Sequence, residues 1–242
     1  PLHRVMNPFT GLRVPIVREE EMDAAALPPE RYARVLSDLS RINGLTMAPR
    51  PTLGFLDRVR ARGIGDRPWR ILDVGFGAGD MLARIARWGE KRGVALDLAG
   101  VDLNRKSEAV AAMRLGARAR LITGDYRALA GQGWDIIVSS LVTHHMTPAQ
   151  RTEFLRFMEG EAARGWLVND LHRQRLPFAG FPLLATLALA DPIVRRDGQL
   201  SVGRSFRRAE WRAMLAEALP DTAGDCRIFR SFPYRLCVEH IR

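Results

Sequence analysis

The chain has 242 residues, 47% of them hydrophobic, which is enough for one large α/β domain with a small appendage and too apolar for disorder. A formal charge of +10 ordinarily points to an acidic partner. Here the lysines are only Lys91 and Lys106, and the arginines are scattered among acids without a dense run, which argues against a nucleic-acid surface. The two cysteines, Cys226 and Cys237, form no C-x-x-C pair and so exclude zinc-ribbon and dithiol redox chemistry.

Residues 1–6 carry no signal-peptide core. The first thirty residues, with several prolines and the acidic run Glu19-Glu20-Glu21, read as an irregular arm. From Arg31 onward, Tyr32, Val35, Leu36, Leu39, Ile42 and Leu45 fall at helical spacing, and Pro49 and Pro51 are expected to end that helix. A second helix is expected over 52–62. Residues 70–74 then read as a short buried strand running straight into glycines. A helix follows with Met81, Leu82, Ile85 and Trp88 on one face. Strands are expected over 95–101, 120–123, 135–139 and 165–169. Helices are expected over 105–115 and after Thr147-Pro148, an N-cap and first-turn proline.

The apolar stretch 176–190 is broken by Pro177, Gly180 and Pro182 and is too short to span a bilayer. Its part 178–189 reads as a buried helix or a lid. An amphipathic helix over 209–219 and two strand-like runs around Pro233, within 227–238, complete the pattern. The alternation of strands and helices predicts an α/β fold with a mostly parallel, doubly wound sheet and a closing antiparallel hairpin. The division expected is a helical N-terminal arm over 1–66 and a core over 67–242, with a lid insertion at about 173–205. A cytoplasmic location is expected.

The central motif is Asp73-Val74-Gly75-Phe76-Gly77-Ala78-Gly79-Asp80. Its glycines allow a sharp turn and close approach of a ligand to the backbone. The spacing is G-x-G-x-G rather than the dinucleotide G-x-G-x-x-G, and Asp80 disfavours a pyrophosphate at the helix N-terminus. Asp73 at the end of the first strand suits a cationic ligand. Asp102 ends the second strand, where a carboxylate accepts hydrogen bonds from ribose hydroxyls. Asp125 ends the third, placed for an adenine amino group, with Tyr126 to pack on the ring.

Residues 70–170 resemble the core of the class I, Rossmann-like S-adenosylmethionine-dependent methyltransferases. Residues 71–79 are similar to the family's first motif, Gly100-Val101-Asp102-Leu103 to the second, Thr123-Gly124-Asp125 to the third and Trp134-Asp135-Ile136-Ile137-Val138-Ser139-Ser140 to the fourth. The run Leu141-Val142-Thr143-His144-His145-Met146 resembles the ubiquinone-biosynthesis and small-molecule O-methyltransferase branch. Asn169-Asp170-Leu171-His172-Arg173 looks like a bacterial subgroup associated with polyketide and phenolic-lipid pathways. The resemblance implies S-adenosylmethionine as cofactor, held by Asp73, Gly75, Gly77, Gly79, Asp102, Leu103, Asp125, Tyr126 and Ser139.

Methyl transfer to a hydroxyl aligns acceptor, methyl and sulfur, and it profits from a base. His144 and His145 follow the fourth strand, and Asp170 and His172 the fifth, so all four are expected near the methyl position. In related enzymes the second histidine of such a loop faces the substrate, which favours His145 as base with His144 and Asp170 as partners. The histidine spacing matches no standard metal pattern, and no metal is expected. The acceptor is expected to be a small aromatic or hydrophobic molecule. Its pocket would lie between helix 31–45, whose Arg41 and Asn43 could also reach the cofactor, and the apolar segment with Phe178, Phe181, Leu183 and Leu184. Arg173, Arg175, Arg195 and Arg196 are candidates for holding a carboxylate or phosphate. The competing readings are a nucleic-acid methyltransferase, a cofactor-binding scaffold without catalysis, and a nicotinamide oxidoreductase. The first lacks an Asp/Asn-Pro-Pro-aromatic motif at Ser139-Ser140-Leu141-Val142, and the last is disfavoured by the glycine spacing.

Overall fold

Alternate residues of one strand bury themselves on opposite faces of a sheet, and the first strand shows this directly. In β1 (Trp69–Val74), Trp69 and Ile71 join a core with Phe55, Leu56, Met81, Leu82 and Ile85, while Leu72 and Val74 join a second core with Phe154, Leu155, Trp211 and Leu215. A strand apolar on both faces must be covered on both, as in parallel α/β sheets. The structure, a computed structural model, describes residues 12–24 and 26–242. Residues 1–6, read above for a signal peptide, lie outside the described residues.

Among the described residues the sheet has seven strands in the order β3-β2-β1-β4-β5-β7-β6. The strands are β2 (Leu96–Asp102), β3 (Arg120–Thr123), β4 (Ile136–Ser140), β5 (Gly165–Leu171), β6 (Arg227–Ser231) and β7 (Arg235–Ile241). β1 to β5 are parallel, and β7 runs antiparallel to both β5 and β6. The chain order reverses between β1 and β4, which opens a crevice beyond their carboxyl ends. The α/β, mostly parallel, Rossmann-like architecture with its antiparallel C-terminal strands is therefore the one expected.

The helices are α1 (Pro29–Leu45), α2 (Arg50–Ala61), α3 (Asp80–Arg92), α4 (Arg105–Leu115), α5 (Pro148–Glu161), α6 (Arg175–Leu187), α7 (Pro192–Arg204) and α8 (Arg208–Ala218). Thr147 caps α5 with a reciprocal Thr147–Gln150 capping box. Pro49 and Pro51 were expected only as a stop. Instead they start α2, where a proline in the first turn lacks an N–H that would go unpaired anyway. The apolar segment 178–189 lies largely in one helix, α6, as expected, and a second helix, α7, which was not expected, follows it. Val35 and Ile42 of α1 pack with Ala185 of α6 and with Ile193 and Val194 of α7 to form a small apolar cap over the crevice. Phe178 and Ala185 are buried, but Leu183, Leu187 and Leu189 are exposed, so only one side of α6 serves this core. Among the described residues, no helix is long and apolar enough to cross a membrane.

Candidate functional site

The strand ends, the cap and residues 20–24 enclose a cavity of about 1110 Å³. Its floor is the turn after β1. Gly75 has φ +80°, and a Cβ there would overlap Val142 Cγ2, so both the backbone conformation and the neighbouring strand-end loop require glycine. Asp102 Oδ2 accepts the Gly77 N–H at 2.9 Å, and its Oδ1 accepts the Asn104 N–H at 2.8 Å, tying the loops after β1 and β2 together.

Asp73, Gly75, Gly77, Asp102, Leu103, Asp125 and Tyr126 all line the cavity. Asp73 is buried, and its Oδ2 has no hydrogen-bond partner. Burial, with Asp80 and then Asp102 nearby, pushes its pKa up to about 8. A buried carboxylate oxygen without a donor is a seat for a cation. The Asp125 carboxylate is bound by Arg127, through its backbone N–H at 2.9 Å and its guanidinium at 2.6 Å, rather than standing open. The Tyr126 ring is held edge-on by Phe154 and Phe157, each at 4.9 Å.

Two expected cofactor residues stand behind the wall. Ser139 is buried and donates to the Val74 carbonyl at 2.9 Å, stitching β4 to β1. Gly79, at φ +70°, leads into α3, and a Cβ there would press on Leu115 and Ala111, so it permits helix packing. Neither lines the cavity. Arg41 turns to Asp38 at 2.8 Å, whereas Asn43 does line the cavity.

The loop after β4 begins with Leu141 at φ +64°, an uncommon conformation for a branched side chain. It presents His144 and His145 to the cavity, their ring centroids 4.3 Å apart. His144 is buried. Its Nδ1 lies 2.7 Å from Asp170 Oδ1 and its Nε2 3.6 Å from Glu20 Oε1. Burial opposes its charge, but Asp170 and then Glu20 raise its pKa to about 9, which favours the imidazolium. The Asp170 carboxylate, although buried, is held down to about 2 by His144, with Thr143 and the Leu171 N–H also donating. Asp170 does not line the cavity; it orients the loop from behind. His145 is the more exposed ring, its side chain 30% exposed, with Nε2 3.7 Å from Glu20 Oε1.

Glu20 escaped the sequence reading. It is buried, receives the Ser201 hydroxyl at 2.6 Å and closes the histidine cluster from an irregular segment. Burial alone would raise its pKa, but His144, His145 and Ser201 lower it. Ligand atoms of Glu20, His144 and His145 lie within 4.8 Å of one another, so this group could hold a divalent ion. His172 was expected at the site but is buried elsewhere, its N–H bound to the Tyr234 carbonyl at 3.0 Å. Burial and then the charges of Arg230, Arg207 and Arg173 push its pKa down to about 4. Arg173, Arg175, Arg195 and Arg196 do not line the cavity; the buried arginine that does is Arg235.

Residues 71–160, which carry the β1 turn, the β2 acid and the histidine loop, match the family model described as a methyltransferase domain. That segment is therefore similar to methyltransferase domains. No curated protein matches the chain significantly. Among solved structures the chain is similar to the plantazolicin methyltransferase BpumL in complex with a triazolic desmethylPZN analog and SAH. The identity is 17% and the TM-score 0.64, over 86% of this chain and 89% of that one. It is similar to magnesium protoporphyrin IX methyltransferase from Synechocystis PCC 6803 with bound SAM, at 15% identity and TM-score 0.55, over 90% and 99% of the two chains. A third likeness is to a putative O-methyltransferase from Nostoc punctiforme PCC 73102, at 16% identity and TM-score 0.54, over 86% and 60%. These likenesses show the fold.

Proposed function

We propose that this protein is a cytoplasmic S-adenosylmethionine-dependent O-methyltransferase acting on a small hydrophobic phenolic, quinone-like or polyketide-derived acceptor. On this reading it belongs to the ubiquinone-biosynthesis-like branch and acts in secondary metabolism. The observation that carries the reading is that one cavity joins the Asp73–Asp102 floor to a half-exposed His145 under an apolar cap.

When bound, S-adenosylmethionine supplies an electrophilic methyl group on a sulfonium. The unpartnered Asp73 oxygen fits the ammonium of its amino-acid end, and Asp102 and Leu103 stand where a ribose would lie. Asp125 and Tyr126 flank the adenine position. Leu39, Leu171, Leu176, Phe181 and Leu184 give the acceptor side an apolar wall that favours an aromatic or aliphatic guest. His145 takes the acceptor's hydroxyl proton. His144, already protonated between Asp170 and Glu20, holds the loop in place. The acceptor is a small molecule, because the cavity lies beneath α1, α6 and α7 rather than along an open arginine-lined groove.

The test is incubation of the purified protein with methyl-labelled S-adenosylmethionine and, separately, a panel of alkylated phenols and total RNA. Label recovered as phenyl ether supports the reading. Label found in RNA alone would overturn it in favour of a nucleic-acid substrate.

A further inference from the structure

Among the described residues two arginines are almost completely buried, and they are treated very differently. Arg173 is 1% exposed and fully engaged. Its Nε donates to the Leu12 carbonyl at 3.1 Å, its Nη1 to the Ser205 carbonyl, and its Nη2 to Glu210 and to the Arg13 carbonyl. Arg235 is 3% exposed, and its Nη2 donates to Asn43 Oδ1 at 3.1 Å. Its Nη1 is buried with no hydrogen-bond partner. Among the described residues no carboxylate reaches ion-pair distance of its guanidinium, although Asp170 and Asp80 are near enough to feel its charge.

A buried guanidinium without a counter-ion is strongly unfavourable, because desolvation is offset only by partners that complete its hydrogen bonds. Burial accordingly works against the charge of Arg235. Such a group is kept where an anion completes it. Arg235 opens β7 opposite Leu171 at the end of β5, and with Asn43, Asp80 and Leu171 it lines the cavity. Asp80 links it electrostatically to Asp73, the buried acid with the unpartnered oxygen at the same end. An unpaired cation and a buried acid with an unpartnered oxygen in one cavity wall fit the two ends of a zwitterion, and the planar fork of arginine fits a carboxylate.

We propose that Arg235, steadied by Asn43, is the carboxylate anchor of the cavity. Resting on the function proposed above, the carboxylate is that of the cofactor's amino-acid end; a carboxyl on the acceptor offers the same chemistry and is separated from it by the test. Arg235 would receive the carboxylate on its unpartnered Nη1 edge, completing the pairing the protein itself leaves open.

The test is calorimetric binding to wild type, Arg235→Gln and Arg235→Lys. The ligands are S-adenosylhomocysteine and 5′-methylthioadenosine, the same nucleoside thioether without an amino-acid end. Loss of a charge-assisted carboxylate contact should weaken S-adenosylhomocysteine by about 10-fold or more in Arg235→Gln, with partial recovery in Arg235→Lys. Methylthioadenosine should bind all three proteins within about twofold, which also shows that the variants fold. A hydroxybenzoate and its decarboxylated phenol form the second arm. If Arg235→Gln leaves S-adenosylhomocysteine unaffected but removes a preference for the hydroxybenzoate, the anchor stands and its carboxylate is the acceptor's. If both nucleosides weaken equally, or neither arm responds, the anchor is overturned and Arg235 is only a packing residue. If wild type binds neither nucleoside, the methyltransferase reading fails instead, and the hydroxybenzoate arm alone decides Arg235.

Discussion

His144 Nδ1 and Asp170 Oδ1 stand 2.7 Å apart with both side chains buried. Such a charge-assisted pair titrates far from its unfolded values, so it makes stability depend on pH. The His144 pKa is raised to about 9, so its contribution is complete below about pH 6.5, the unfolded value, and is lost as pH rises through 9. The Asp170 pKa is lowered to about 2, so its contribution is present above about pH 4 and is lost on acidification toward 2. Asp170→Asn should therefore cost about 3 kcal/mol near pH 6 and much less at pH 10. Denaturant titrations of wild type and variant at the two pH values would show this. A difference independent of pH would mean that the pair is neutral.

Asp73 has the opposite sign. Its pKa is raised to about 8 while unfolded aspartate titrates near 4, so it is mostly protonated in the free protein at pH 7. A cationic ligand on its unpartnered oxygen should ionise it and release close to one proton. Binding enthalpies of S-adenosylmethionine in buffers of different ionisation enthalpy, at pH 6 and 7, should report that release. Affinity should climb by up to about tenfold per pH unit in this range. Asp73→Asn should abolish both effects; retained proton release would move the titrating group elsewhere.

Asp102→Ala should weaken S-adenosylmethionine by roughly 1.5–3 kcal/mol, the range for hydrogen bonds to a charged group. Asp102 also accepts the Gly77 and Asn104 N–H groups, so the variant should melt lower as well. Calorimetry and a melting curve separate the two effects. Unchanged affinity alongside a lower melting temperature would confine Asp102 to holding the loops.

Most of the sheet and the glycine turn were legible because they rest on local rules: alternation in β1, the glycines at 75 and 77, and the capping box at Thr147. What escaped depends on which distant segments meet. Glu20 lies on an irregular segment with no periodicity and reaches the histidines only because residues 21 and 22 are pinned to Asp197 of α7. Arg235 reaches the cavity only through the register of β7 on β5. Ser139 and Gly79 were misjudged for a related reason. Motif position puts them beside the ligand turn, but which way a side chain or a missing Cβ faces is decided by the packing of β1 and α4.

The Glu20–His144–His145 group brings three ligand atoms together, while the charge on His144 already answers the two carboxylates that flank it. A proton then occupies the place a metal would take, since imidazole must be neutral to coordinate. Dialysis against a chelator should leave methyl transfer and melting temperature unchanged. Loss of activity restored by zinc would show that the cluster works as a metal site.

The remaining prediction concerns which histidine acts. Both rings line the cavity, but His144 is buried with its Nδ1 on Asp170 and its pKa raised by Asp170 and Glu20, whereas His145 is the more exposed ring. His145→Ala should lower turnover by about 10²–10⁴-fold with S-adenosylmethionine affinity nearly unchanged. Glu20→Gln should lower it less, because Glu20 lies 3.7 Å from the His145 Nε2 and acts through the ring. A phenol that is already ionised needs no base, so the loss in His145→Ala should shrink along a series of acceptors of rising acidity. Equal losses along the whole series would assign His145 to holding the acceptor rather than taking its proton.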